Sequence, residues 1–352
     1  MRKLRMWLED RLGTVPIFTF LRKKDVPQHK HSFLYYTGSS ILLFLGIQIV
    51  TGIMLALYYQ PTLKEANASV ARIMTEVPLG WIIRSIHSWS SSFMIALVMI
   101  HLLGIMLTKA YRSPREATWM SGVFLLVISM LFGFTGYLLP WDDLSLSATK
   151  VGTDIPKIIP VIGAWVTKFL RGGEDVTGDT LTRFFIFHVC VLPLMIFLIL
   201  AVHIFLVQKH GMSIPLEAER KKEKVKALPF WPNFVLRESV AWMVLLGVLL
   251  TVAVILAPSL GPGADLMAPA PEGIKPEWYF LFLFQTLKIF PAKVFFVTGE
   301  ALAVLAISLV VAFLFFLPLI DTRPWEKKGK VITWLAYAFL FYAAAMTVWS
   351  LL

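Results

Sequence analysis

The chain has 352 residues, of which 57% are hydrophobic and only 16% charged, and its mean hydropathy is +0.73. A soluble domain carries about 25% charged residues, and here the apolar residues come in long blocks, which excludes a water-soluble globular protein. The formal net charge of +11 is compatible with nucleic-acid binding, but the placement of the basic residues gives a topological explanation instead.

A membrane span needs about 20 mostly apolar residues, and in lipid it must be helical, because an isolated strand leaves backbone groups unpaired. Seven spans are predicted, near residues 33–59, 79–109, 117–139, 184–207, 239–257, 295–317 and 331–352. The fold class is therefore an all-α integral membrane protein, with four N-terminal and three C-terminal transmembrane helices.

Before the first span lies a charged segment, residues 1–32. Met1 to Leu12 does not read as a cleavable signal peptide. Trp7 and Leu8 beside Arg5, Asp10 and Arg11 predict a helix lying on the membrane surface. The first span carries Gly38 and Gly52, and the third carries Gly122 and Gly136, each pair 14 residues apart. The second span holds Arg84, His87 and His101; the fourth holds His188, Cys190 and His203. Cys190 is the only cysteine, so an intrachain disulfide or thiolate cluster is excluded, and it is expected to serve packing.

The outer loops 140–183 and 258–294 are long and rich in Pro and Gly, as functional loops often are. In the second of these, Trp278 to Phe290 is apolar but short, and reads as a buried or interfacial piece. The linker Gln208 to Glu238 is the longest polar stretch and separates the two groups of spans. Glu300 falls within the predicted sixth span, with no evident role.

Assigned alternately to the two sides, 22 of the 33 Lys and Arg lie on the side of the N-terminus and 10 on the other; Arg84 is inside a span. The positive-inside rule places the N-terminus in the cytoplasm and the C-terminus outside. An odd number of spans gives the same result.

An ionisable residue within the membrane is a functional candidate, and the four histidines form two matched pairs. At about 100° per residue, 14 steps fall about 40° short of whole turns and 15 overshoot by about 60°, so each pair lies roughly on one helix face. Both of these spans run from outside to inside. His87 and His188 are therefore level near the outer surface, and His101 and His203 near the inner one, about 21 Å away at 1.5 Å per residue. Facing imidazoles can ligate a haem iron axially, and neutral imidazole also suits zinc or copper. Two histidines with no carboxylate or thiolate beside them favour haem. The glycines point the same way: Gly52 and Gly136 match the outer level, and Gly38 and Gly122 the inner. A flat macrocycle needs neighbouring helices without side chains at its level. Arg84, one turn from His87, could hold a haem propionate or snorkel to lipid phosphate. Arg115 could serve the inner group in the same way.

Tyr58-Tyr-Gln-Pro-Thr, Ile73-Met-Thr-Glu-Val, Gly80-Trp-Ile-Ile-Arg-Ser-Ile-His, Gly133-Phe-Thr-Gly-Tyr-Leu-Leu-Pro-Trp-Asp and Pro276-Glu-Trp-Tyr together resemble the cytochrome b/b6 family over nearly the whole chain. The 15-residue second interval and the three spans after the linker resemble its b6 and subunit IV branch, here fused. The resemblance implies a di-haem domain over 33–215 and a C-terminal domain over 216–352. It implies two b haems and a quinol-oxidation site lined by Pro276, Glu277, Trp278 and Tyr279, with Glu277 accepting a hydrogen bond or proton from quinol. The Gly152 to Gly163 segment would cover that site. The implied mechanism is a Q cycle: quinol oxidation outside, electron transfer to a Rieske iron–sulfur protein and a c-type cytochrome, and quinone reduction on the cytoplasmic side. It further implies a homodimeric complex in the bacterial inner membrane and no nucleic-acid partner. Leu34-Tyr35-Tyr36 stands where the b6 branch has a haem-tethering cysteine, which argues against a covalent third haem. Phe234 replaces an acid that relatives carry after Trp-Pro-Asn. The cytoplasmic quinone site is then left to Gln208, Lys209, His210 and Glu238 as candidates. Two other readings compete. A di-haem membrane anchor for a dehydrogenase or hydrogenase would not need Pro276 to Tyr279. A haem-free transporter or channel would leave the glycine spacing unexplained.

Overall fold

Among the described residues, seven helices are long and apolar enough to cross a membrane, and they fall where the composition places them. The structure, a computed structural model, describes residues 23–352 apart from 270, together with residues 6, 7 and 11. Apart from those three residues, the surface helix expected over 1–12 lies outside the described residues.

The first span is α1 (Tyr35–Ala56), and α2 (Ala66–Thr75) is a short surface helix. The second and third spans are α3 (Gly80–Leu107) and α4 (Glu116–Leu138). Two short helices follow, α5 (Asp143–Asp154) and α6 (Gly163–Arg171). The Asp142 carboxylate caps α5 by accepting from Ser145 N–H. The fourth span begins as α7 (Gly178–Ile186), passes through a π turn at Phe187–Val191 and continues as α8 (Leu192–His210). It starts six residues before the apolar run does, because Thr177 and Thr180 form a reciprocal cap over a polar first turn. The linker holds α9 (Leu216–Arg220) and leads to α10 (Val235–Ile255), the fifth span. The short piece after Pro276 is a single 3₁₀ turn followed by α11 (Leu281–Ile289), too short to span. The last two spans are α12 (Gly299–Ile320) and α13 (Lys327–Leu351). Glu300 is not buried within a span. It is exposed on the first turn of α12, where a negative charge meets the positive end of the helix dipole.

Polar contacts sort the connecting segments onto two opposite faces. On one, β1 (Asp25–Gln28) pairs antiparallel with β2 (Lys226–Pro229) of the linker. There Arg112 bonds Glu219 and donates to the Ile214 carbonyl at 2.8 Å, and Lys109 meets Asp321 at 3.3 Å. On the other, Asn67 donates to the carbonyls of Pro140 and Gly261, and Asp142 accepts from Gly261 N–H. These are the two groups of loops that an alternating topology requires.

Inside the bundle α1 packs along α3, α4 along α8, and α10 and α12 close against α3 and α4. Phe44, Met94 and Leu249 join α1, α3 and α10; Tyr111, Trp119, Leu317 and Ile332 join the four-helix part to α12 and α13. The four histidines lie between these layers.

Candidate functional site

The two pairs of histidines are brought together by the packing of α1 on α3 and α4 on α8. The His87 and His188 ring centres are 6.3 Å apart, with the planes at 71°. On the glycine side, a Cβ built on Gly52 would lie 3.2 Å from His87 Cε1, and one on Gly136 would lie 2.6 Å from His188 Cε1. At the inner level, a Cβ on Gly38 would meet His101 Cε1 at 3.5 Å and one on Gly122 would meet His203 Cε1 at 3.3 Å. Every histidine therefore rests against one of the four glycines of matching depth. The π turn at Phe187–Val191 accounts for the odd interval in the fourth span. It takes up one extra residue, so that His188 and His203, 15 apart, face the slot as His87 and His101 do at 14. Cys190 lies in the same turn and is exposed on the outside of the bundle.

Four hydroxyls complete the niches. Thr51 Oγ1 lies 2.9 Å from His87 Nδ1 and Thr135 Oγ1 3.1 Å from His188 Nδ1. Thr37 Oγ1 lies 2.8 Å from His101 Nδ1 and Ser121 Oγ 2.9 Å from His203 Nδ1. Each hydroxyl belongs to the residue just before the matching glycine. This Ser/Thr-Gly doublet, repeated four times, was visible in the sequence, but hydroxyls are common in membrane helices and it went unread. Gln48 adds a further contact, donating from Nε2 to the His87 carbonyl at 2.6 Å.

The arginines make protein contacts. Arg84 donates to the carbonyls of Pro258 at 2.6 Å and Ser259 at 3.2 Å, and sits against Met74 Sδ. Arg115 donates to the carbonyls of His210 and Gly211, at the end of α8. A guanidinium has five N–H donors, so each retains some for an anion.

On the face that carries the Asn67 and Asp142 contacts, Tyr137, Pro276, Glu277, Trp278 and Leu281 line a cavity of about 240 Å³. Glu277 is half-buried, and burial raises its carboxyl above the ordinary value of 4.5. Tyr279 is 4% exposed, and its hydroxyl packs so close to Gly133 that any side chain there would collide. Burial, and then the nearby Glu277 charge, raise the Tyr279 phenol. Gly152 faces the ring of Phe134, with no room for a Cβ, which lets α5 lie close over α4 beside this cavity. Tyr137 is a lining residue that the sequence reading did not single out.

On the opposite face, Gln208 accepts from Lys24 Nζ at 2.7 Å and the Tyr35 hydroxyl donates to the Ser213 carbonyl. Tyr36 stacks on Phe234 with ring centres 5.0 Å apart. Glu238 is half-buried beside the Ser39 hydroxyl.

A seven-span helical protein with opposed histidines at two depths, cradled by glycines, belongs to the class of transmembrane electron-transfer proteins. The family model "Cytochrome b/b6/petB" matches residues 22–211, and "Cytochrome b(C-terminal)/b6/petD" matches residues 264–352. The chain is 43% identical over 328 residues to the cytochrome bc complex cytochrome b subunit of Chlorobaculum thiosulfatiphilum, covering 93% of this chain and 75% of that one. It is 42% identical over 216 residues to cytochrome b6 of Acaryochloris marina (strain MBIC 11017), covering 61% of this chain and all of the relative. A solved structure titled "Hyperthermophilic respiratory Complex III" superposes with a TM-score of 0.85 at 29% identity, over 98% of this chain and 91% of that one. This chain belongs to the cytochrome b/b6 family. It is a bc-type cytochrome b, a multi-pass membrane subunit of an oxidoreductase complex in electron transport.

That family implies b-type haem, and the residues present fit it. The His87 and His188 rings lie with their centres 6.3 Å apart beside Gly52 and Gly136, a pair of nitrogen donors and a side-chain-free cradle that suit a flat macrocycle. Among the described residues no group of three or more His, Cys, Asp or Glu could hold a bare ion. Zinc needs three or four protein ligands, whereas a porphyrin brings four nitrogens of its own and asks the protein for two.

Proposed function

We propose that this chain oxidises quinol on its outer face, moves charge across the membrane along the two histidine levels, and reduces quinone on its cytoplasmic face, as in a Q cycle. The observation that carries the reading is the pairing of His87 with His188 against Gly52 and Gly136, repeated at the inner level by His101, His203, Gly38 and Gly122. These four histidines would hold two haems b, which when bound would supply a reversible one-electron iron couple at each depth. Arg84 and Arg115 would direct their remaining N–H groups to propionates.

The chain's own residues handle the proton and the substrate. In the outer cavity, Tyr137 and Trp278 present apolar faces to a quinol ring, and Glu277 presents a carboxylate to its hydroxyl. Burial makes that carboxylate a better proton acceptor than a free one, which suits a general base. Pro276 and the buried Tyr279, wedged against Gly133, fix the turn that carries Glu277. Each charge moved across the membrane stores about 2.3 kcal/mol per 100 mV.

The excess of basic residues on its side supports a cytoplasmic N-terminus, with the outer cavity on the opposite side. The relative named as a bc complex subunit supports partnership with a Rieske iron–sulfur protein and a c-type cytochrome, in a dimeric complex. Tyr36 and Phe234, stacked where a third haem would be tethered, support two haems only.

Glu277→Gln in the assembled complex tests the catalytic part. Quinol oxidation should fall by about 10²-fold, within the range of a lost general base, with haem content unchanged. Full activity would contradict the role.

A further inference from the structure

Each histidine hydroxyl partner has its own proton already committed. Thr37 Oγ1 donates to the Leu34 carbonyl at 2.6 Å and Thr51 Oγ1 to the Ile47 carbonyl at 2.6 Å. Ser121 Oγ donates to the Thr118 carbonyl and Thr135 Oγ1 to the Leu131 carbonyl, both at 2.8 Å. A hydroxyl has one proton, so towards the ring each of these oxygens can only accept. The ring nitrogen that faces it, Nδ1, must then carry the hydrogen. A neutral imidazole protonated on Nδ1 has its lone pair on Nε2.

We propose that Thr37, Thr51, Ser121 and Thr135 are positioning residues that fix the tautomer of the four histidines, and so tune the reduction potential of each iron these would ligate. This rests on the reading of the four histidines as axial haem ligands. An acceptor on Nδ1–H raises the basicity of Nε2. A more basic ligand stabilises the oxidised metal and lowers its potential; removing the acceptor raises it.

The test is a potentiometric titration of the purified complex, resolved by wavelength into its b components. Thr51→Val should shift the one-electron equilibrium of the outer component about threefold to tenfold towards the reduced form, where tenfold is about 59 mV, and leave the inner component in place. Thr37→Val should do the reverse. Thr51→Ser should restore the original potential, and Thr135→Val should shift the outer component in the same direction as Thr51→Val. If Thr51→Val fails to retain the chromophore, Thr51→Cys against Thr51→Ser gives the same comparison, because a thiol is a poor acceptor. A higher potential in the Cys variant supports the role. Equal potentials in Thr51→Val, or in its Cys substitute, and Thr51→Ser would overturn it, as would both components moving together. Absence of two b components from the unaltered complex would instead remove the haem reading beneath it.

Discussion

Gly136→Ala should cost the outer niche more of its haem than Gly38→Ala costs the inner niche. In a helix interior, alanine is favoured over glycine by about 0.5–1 kcal/mol. At Gly38 the added methyl stands 3.5 Å from His101 Cε1, an ordinary contact, so that gain remains. At Gly136 it stands 2.6 Å from His188 Cε1 and 3.2 Å from Nδ1. The ring cannot simply swing away, because Nδ1 is held by Thr135. Overpacking of this kind costs about 1–3 kcal/mol. The net penalty is up to about 2.5 kcal/mol, or up to about 60-fold in haem affinity at 1.4 kcal/mol per tenfold. Reduced-minus-oxidised spectra, scaled to protein, read both variants directly. The expected result is a larger loss of the outer component in Gly136→Ala than of the inner component in Gly38→Ala. Equal retention in both, or greater loss in Gly38→Ala, would refute the close-approach argument.

Three further outcomes are expected. Glu277 has its carboxyl raised above 4.5 by burial, so its proton-accepting form disappears as pH falls through that raised value; the acid limb of quinol oxidation should lie above that of a free carboxylate, and Glu277→Gln should abolish the limb. A pH–rate profile of the complex with and without the substitution decides this. Lys109→Met should destabilise the protein by about 3–5 kcal/mol, because it strands the buried Asp321 carboxylate, whereas Lys109→Met with Asp321→Leu should recover most of the loss. Thermal unfolding in detergent would show it, and a single variant as stable as the double would refute it. Ser85→Ala should cost about 1 kcal/mol in the same assay, since Ser85 Oγ donates to the Ala253 carbonyl of α10 at 2.6 Å.

The seven spans, their order and the two histidine levels were legible because a helix in lipid has few options. Composition sets its length, and a 3.6-residue period converts spacing into depth and face. The histidines and glycines at intervals of 14 could be read from the chain for that reason. The 15-residue interval could not be resolved in the same way, because the π turn at Phe187–Val191 leaves no composition signature. Boundaries slipped where caps rule: Thr177 starts the fourth span early, and Thr298 places Glu300 on a first turn. The salt bridge of Lys109 with Asp321 was invisible because its partners are far apart in the chain and meet only once α12 is packed against α4. The hydroxyls of Thr37, Thr51, Ser121 and Thr135 were visible but unremarkable singly, and gain meaning only from the ring nitrogens they face.

The central claim is most directly tested by a redox-titrated visible spectrum of the purified membrane protein, alongside His87→Ala and His203→Ala. The account requires two b-type components, the outer lost in His87→Ala and the inner lost in His203→Ala. A protein with no such chromophore, or one whose components survive both substitutions, would contradict it.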